Sequence, residues 1–185
     1  MSKNNTLTLD EIIKESKRLK KELGVKHVTI YTDGSCLGNG TDTTYGGYGA
    51  ILKESRRKDR LVSGSEFNTT NNRMELKAII ESIRTLDYSK GMYFIKLFSD
   101  SNLCIKAIKE WLDTWQNNGW KKSDGKAVMN KDLWIEYLEV VKPHRIEAVW
   151  VKGHGTDVYN IAVDKLAVGM ANKLKNEMLK EKTYD

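Results

Sequence analysis

Alternation and helical spacing divide the chain into a readable series of elements. In His27–Asp33, the β-formers Val28, Ile30 and Tyr31 follow no helical period, and the run meets the glycine-rich stretch Gly34-Ser35-Cys36-Leu37-Gly38-Asn39-Gly40. This predicts a strand that delivers Asp33 to the mouth of a turn, beside backbone able to approach a ligand closely. Tyr45–Leu52 reads as a second strand, its glycines marking where another backbone passes near. The charged run Arg56–Arg60 makes a hairpin turn, and Leu61–Phe67 a third strand. From Asn71, the residues Met74, Ala78, Ile79, Ile83 and Leu86 repeat at helical spacing and place Glu75 on the second turn.

Tyr93–Phe98 is the fourth strand and ends on Ser99-Asp100, with a helix behind it marked by Leu103, Ala107, Ile108 and Trp111. Asn117-Asn118-Gly119 breaks that pattern, and Trp120–Lys126 is polar and basic around an exposed-looking Trp120. Leu133–Val141 is helical up to Pro143, Arg145–Val151 alternates as a fifth strand, and Tyr159 to about Lys180 forms a last helix. Upstream, Thr8-Leu9-Asp10-Glu11 reads as a capping box, with Leu7 and Ile12 placed as a hydrophobic staple. Ile12, Ser16, Leu19 and Leu23 then define an amphipathic helix over 9–23 that stops at Gly24. Its lysines and arginine suit either a solvated face or a polyanion. The expected organisation is an N-terminal helical extension, 1–25, and an α/β domain, 26–185, built on a mixed sheet flanked by helices.

The 185 residues suffice for one well-buried core. A formal charge of +6 fits a phosphate-rich partner without demanding one. The N-terminus lacks a signal-peptide apolar core, and no apolar run approaches the roughly 20 residues of a membrane span. Cys36 and Cys104 show no metal-ligand spacing and read as reduced thiols. A soluble, cytoplasmic protein that makes no membrane contact is expected.

Candidate chemistry sharpens this picture. Asp33, Glu75, Asp100 and Asp164 all fall at strand ends or near helix starts, where they can converge. Singly, each reads equally well as a surface acid or a turn cap. Together, ionised carboxylates repel and call for a cation, and an all-oxygen donor set suits Mg²⁺ or Mn²⁺ rather than zinc. Two such ions can clamp a phosphodiester. His154, between Gly153 and Gly155, places an imidazole, a group suited to proton transfer near neutrality, on a loop where it can reach a reacting group. Thr70, Asn71 and Asn72 offer donors at a helix N-terminus, for phosphate or for ordinary capping.

The ordered motifs Tyr-Thr-Asp-Gly-Ser-Cys (31–36), Thr-Asn-Asn-Arg-Met-Glu-Leu (70–76), Ser-Asp-Ser (99–101), Trp-Val-Lys-Gly-His (150–154) and Asp164-Lys-Leu-Ala resemble the type 1 ribonuclease H family over roughly residues 26–172. The resemblance implies a ribonuclease H-like fold with a five-stranded sheet. It also implies an endonuclease that cuts the RNA strand of RNA–DNA hybrids, leaving 5′-phosphate and 3′-hydroxyl ends. Asp33 would bridge two Mg²⁺ ions, with Mn²⁺ a substitute, Glu75 and Asp100 on one side and Asp164 on the other. His154 would stand on a flexible loop beside them. Thr70 and Asn72 would hold a DNA-strand phosphate and Asn71 the minor groove, while Gly34, Ser35 and Glu75 would face ribose 2′-hydroxyls. Asn39, Asn102 and Asn160 match further substrate contacts. Trp111, Trp115, Lys121 and Lys122 match a basic protrusion, although the two tryptophans also fit a core.

The chain departs from the family pattern in several places. Asp113, Gln116, Asn117 and Asn118 make the protrusion less basic, a longer loop occupies 40–44, and Ile161 stands where an acid is common. The expected protein is a stand-alone monomer without an obligate protein partner. Its rivals are a non-catalytic hybrid-binding module, the detached nuclease domain of a reverse transcriptase and a transposase-like relative. Four intact acids speak against the first. The absence of polymerase motifs before residue 24 speaks against the second. The Gly-His loop and the Thr-Asn-Asn-Arg motif speak against the third.

Overall fold

A computed structural model describes residues 8, 10, 13, 14, 25–153 and 156–181. Of the helix expected over 9–23, only Asp10, Ile13 and Lys14 are described, and these are helical; the rest of it, like His154, lies outside the described residues.

Five strands, β1 (Lys26–Leu37), β2 (Tyr45–Glu54), β3 (Arg60–Phe67), β4 (Tyr93–Ser99) and β5 (Arg145–Trp150), form one sheet in the order β3-β2-β1-β4-β5. The first three strands make an antiparallel meander. β4 and β5 then add parallel to β1 through helical crossovers, which gives the expected mixed sheet. β1 is therefore central. Val28, Ile30 and Thr32 alternate onto one buried face, as a period of two requires.

Helix α1 (Asn71–Arg84) covers that face with Met74, Leu76, Ile79, Ile80 and Ile83. Thr70 caps its start, accepting from the Arg73 N–H at 3.4 Å. The helix ends at Arg84, short of the expected Leu86, which is nevertheless buried in the turn beyond. The helix expected behind β4 is not continuous. It runs as α2 (Asn102–Lys106), a π-helical stretch (Ala107–Trp111) and α3 (Leu112–Asn117). The wider turn shifts the face that follows, and Trp115 packs into the core, with ring centroids 5.6 Å from Trp111 and 5.8 Å from Trp134.

Helix α4 (Lys131–Val141) supplies Trp134, which is 1% exposed. Burying such an indole contributes roughly 4–6 kcal/mol before entropy, from ~150–250 Å² at about 25 cal/mol/Å². Trp120, expected to be exposed, is half-buried against this cluster because its N–H and C=O are tied to the Trp115 carbonyl and the Val128 N–H. Arg73 and Arg84 of α1 pair with Asp132 and Glu136 of α4.

On the opposite face lies α5 (Val158–Glu181), seated on β2 and β1. Two glycines make this contact possible. A Cβ on Gly47 would lie 2.2 Å from the Ala167 carbonyl oxygen, and one on Gly49 would lie 2.9 Å from Leu166. The glycine run thus marks a close backbone approach, as the sequence predicts. No described helix is long and apolar enough to cross a membrane.

Candidate active site

The parallel pairing of β1 with β4 stops at Thr32 and Ser99, while β1 continues against β2 to Leu37. Asp33 is the first residue past that fork. It does not end the strand, as expected from the glycines that follow it. Gly34 and Ser35 stay in β1 because they pair with Tyr48 and Gly47.

Asp33 is 7% exposed, and its Oδ1 accepts from the Gly34 N–H at 2.7 Å. Burial pushes its carboxyl up to about 7, and the charge of Asp100 adds to the shift. The Gly34 hydrogen bond works against it, and Asp164 and Glu75 raise it further. The fold thus brings the other three predicted carboxylates into electrostatic reach of Asp33 at one end of the sheet.

Each carboxylate is set by a different element. Glu75 rides on α1, which presses against β1 so closely that a Cβ on Gly34 would lie 2.1 Å from the Glu75 nitrogen. Glu75 Oε1 accepts from Asn71 Nδ2 at 2.9 Å, and Oε2 accepts from the Ser101 hydroxyl. Burial raises the Glu75 pKa, Asp100 adds to the rise, and the two hydrogen bonds oppose it.

Asp100 follows β4 directly, and its carbonyl accepts from Trp150 Nε1 at 3.0 Å. A Cβ on Gly153 would lie 2.7 Å from Asp100 Oδ2, so the loop leading to His154 passes over this carboxylate. Asp164 is half-buried on α5.

Among the described residues, no three His, Cys, Asp or Glu side chains are gathered closely enough to hold a metal ion. Glu75 is instead engaged by Asn71 and Ser101. The donor set still fits a hard divalent cation: it is all oxygen, and burial, helped by the neighbouring carboxylates, drives Asp33 toward protonation.

The expected substrate side lies along the same edge. Asn39, Thr70, Asn72, Asn102 and Lys121 are exposed, and Ser35, Asn71, Trp111 and Lys122 are half-buried. A cavity of about 500 Å³ runs between Asn72 on α1 and Trp111, Trp115 and Lys122 of the protrusion. Trp115, expected to touch substrate, is 9% exposed and packs on Trp134, so it holds the protrusion to the core. Asn160 is 3% exposed, and its backbone N–H donates to Asp157 Oδ1; it sits beneath the surface rather than on it. Ser101 belongs to the Ser-Asp-Ser motif but carries no role of its own in the sequence reading, although a serine just ahead of a helical run signals an N-cap.

Comparison with known proteins gives a consistent match. The RNase H family model matches residues 25–172. Ribonuclease H of Campylobacter jejuni strain 81-176 is 47% identical over 153 residues, 83% of this chain and 97% of that protein. Ribonuclease H of Caldanaerobacter subterraneus subsp. tengcongensis is 48% identical over 147 residues, 79% of this chain and 92% of that protein. Among solved structures, LC9-RNase H1, described as a type 1 RNase H with the type 2 active-site motif, superposes with a TM-score of 0.74 at 33% identity. That match covers 80% of this chain and 74% of LC9-RNase H1.

Proposed function

The chain belongs to the ribonuclease H family and is an endonuclease degrading the RNA of RNA–DNA hybrids, and we propose that it does so through two divalent cations held by Asp33, Glu75, Asp100 and Asp164. The family uses divalent metal ions; the number of ions, and Mg²⁺ with Mn²⁺ as substitute, are our reading. It is supported above all by Asp33, whose pKa burial first, and then three neighbouring carboxylates, raise to about 7; a bound cation offsets both costs of ionising it.

Bound there, the cations would neutralise the scissile phosphate and lower the pKa of an attacking water. The chain's own residues do the rest. Asp33 stands at the fork between β2 and β4. Glu75 and Asp100 approach it from α1 and β4, and Asp164 from α5. Thr70 and Asn72 present donors to a phosphate of the DNA strand, Asn71 reaches the minor groove, and Gly34 and Ser35 face the ribose 2′-hydroxyls that separate RNA from DNA. Asn39 and Asn102 extend this surface. His154, next in the chain after Gly153, moves a proton or releases product. Lys121 and Lys122 neutralise DNA-strand phosphates beside Trp111.

We read residues 26–185 as the catalytic unit and 1–25 as an accessory extension, in a cytoplasmic monomer. The Campylobacter jejuni relative is matched over 97% of its length, which supports a stand-alone enzyme rather than a detached polymerase domain.

The test is incubation with matched RNA–DNA, RNA–RNA and DNA–DNA duplexes, with Mg²⁺ or with EDTA. Cleavage of the hybrid's RNA strand alone, abolished by EDTA, is expected. Equal cutting of DNA–DNA, or full activity in EDTA, overturns the reading.

A further inference from the structure

Ser101 is not among the carboxylates, yet it is joined to one of them. It is 4% exposed, directly follows Asp100, and caps α2, where its Oγ accepts from the Cys104 N–H at 3.4 Å. A hydroxyl carries a single proton. With Cys104 approaching one lone pair, that proton is directed to Glu75 Oε2. The other oxygen, Oε1, takes the Asn71 amide one helical turn earlier at 2.9 Å, and the Asn71 N–H is in turn anchored on Asn39 Oδ1 at 3.2 Å. Both oxygens of Glu75 are therefore held from opposite sides, by the start of α1 and the start of α2. Each carboxylate oxygen keeps a second lone pair for a cation, so these bonds orient the ligand without blocking it.

We infer that Ser101 is a positioning residue for Glu75, fixing its carboxylate for the divalent cation, with Asn71 as its counterpart on the substrate side. The inference rests on the cation reading proposed above. Ser101 is the stiffer of the two, because its hydroxyl is oriented by a helix cap and sealed from water. Asn71 is half-buried, and its amide has a second N–H to offer. Hydrogen-bond partners that orient a metal ligand typically change metal affinity 10–100-fold when removed. The same hydroxyl thus serves the fold and the site, and the two roles separate experimentally.

Mn²⁺ is titrated into the free protein, without nucleic acid, and unbound ion is counted by its EPR signal while melting temperature is followed in EDTA. Ser101→Ala is expected to weaken Mn²⁺ binding about tenfold. Ser101→Gly, which keeps a residue type tolerated at an N-cap, should weaken it equally with a smaller loss of melting temperature. Ser101→Thr restores the hydroxyl and should bind within about twofold of wild type, taking twofold as well below the change above. Asn71→Ala should weaken binding less than Ser101→Ala. A melting temperature lowered by Ser101→Ala or Ser101→Gly with Mn²⁺ affinity unchanged would reduce Ser101 to a helix cap and overturn the inference. A wild-type protein that binds no Mn²⁺ overturns the cation reading beneath it.

Discussion

Gly34 and Glu75 stand backbone to backbone: a Cβ on Gly34 would lie 2.1 Å from the Glu75 nitrogen and 2.4 Å from the Met74 carbonyl carbon. The strand that holds Asp33 is thereby locked against the helix that holds Glu75. The atoms in the way are main chain and cannot rotate aside. Gly34→Ala should cost about 3 kcal/mol, at the upper end of overpacking, and separate the two carboxylates. Chemical denaturation and single-turnover rates check this, with Ser35→Ala as a neighbour whose folding stability should change far less.

Asp33 carries a testable pH signature. Its pKa rises from 3.8 to about 7 on folding, so the folded chain holds a proton that the unfolded chain releases. Its contribution to stability is full below about pH 4 and is lost as pH rises through about 7. The gap corresponds to at most about 4 kcal/mol. In EDTA, denaturant midpoints of the wild type should fall across that window more steeply than those of Asp33→Asn. That variant should be the more stable protein at pH 8 and nearly devoid of cleavage. Parallel profiles for the two proteins would remove Asp33 as the titrating group.

Asp100→Asn should likewise nearly abolish turnover while leaving hybrid binding measurable. Retention of about half the wild-type rate by Asp33→Asn or Asp100→Asn would contradict the two-cation assignment. His154→Ala should lower kcat by roughly 10²-fold or less, and a pH–rate profile from 6 to 9 measures its part.

Trp115 and the lysines beyond it should separate stability from affinity. Trp115→Ala opens a hole beside Trp134 and should cost 3–5 kcal/mol, as large aromatic truncations in cores do. Lys121→Ala with Lys122→Ala should leave the melt unchanged and raise KM, sparing kcat. Each lost phosphate contact should flatten the log K against log salt slope by roughly 0.7–0.9. An unchanged slope means these lysines are solvated and the hybrid is held elsewhere.

Deleting residues 1–24 should leave a folded, active domain. β1 begins at Lys26, whose N–H is already anchored on the Met92 carbonyl at 2.9 Å. Loss of the cooperative melt would place Ile12, Leu19 and Leu23 in the main core.

The five strands and the α1 face were legible because Val28, Ile30, Ile79 and Ile83 are buried at the periods their elements demand. The four acids were legible because each sits in a motif at a strand end or helix turn. Gly34 misled: glycine reads as a turn residue, and only the tertiary approach of Glu75 explains a glycine inside a strand. Trp115 was ambiguous, since i, i+4 tryptophans suit a core or a binding face equally. The π-helical stretch that settles it leaves no simple residue pattern. Ser101 escaped because its effect runs through Glu75, 26 positions away in the chain.

The glycines of β2 also bear on the order in which the fold can assemble. Gly46 takes Thr69 and Met74 against it, whereas Gly47 and Gly49 receive α5, more than a hundred residues later in the chain. During synthesis the meander and α1 can assemble as they emerge, but the seat for Asp164 stays empty until the last helix has cleared the ribosome. With Asp164 carried on α5, the proposed cation site is complete only once that helix has docked on the β2 glycines.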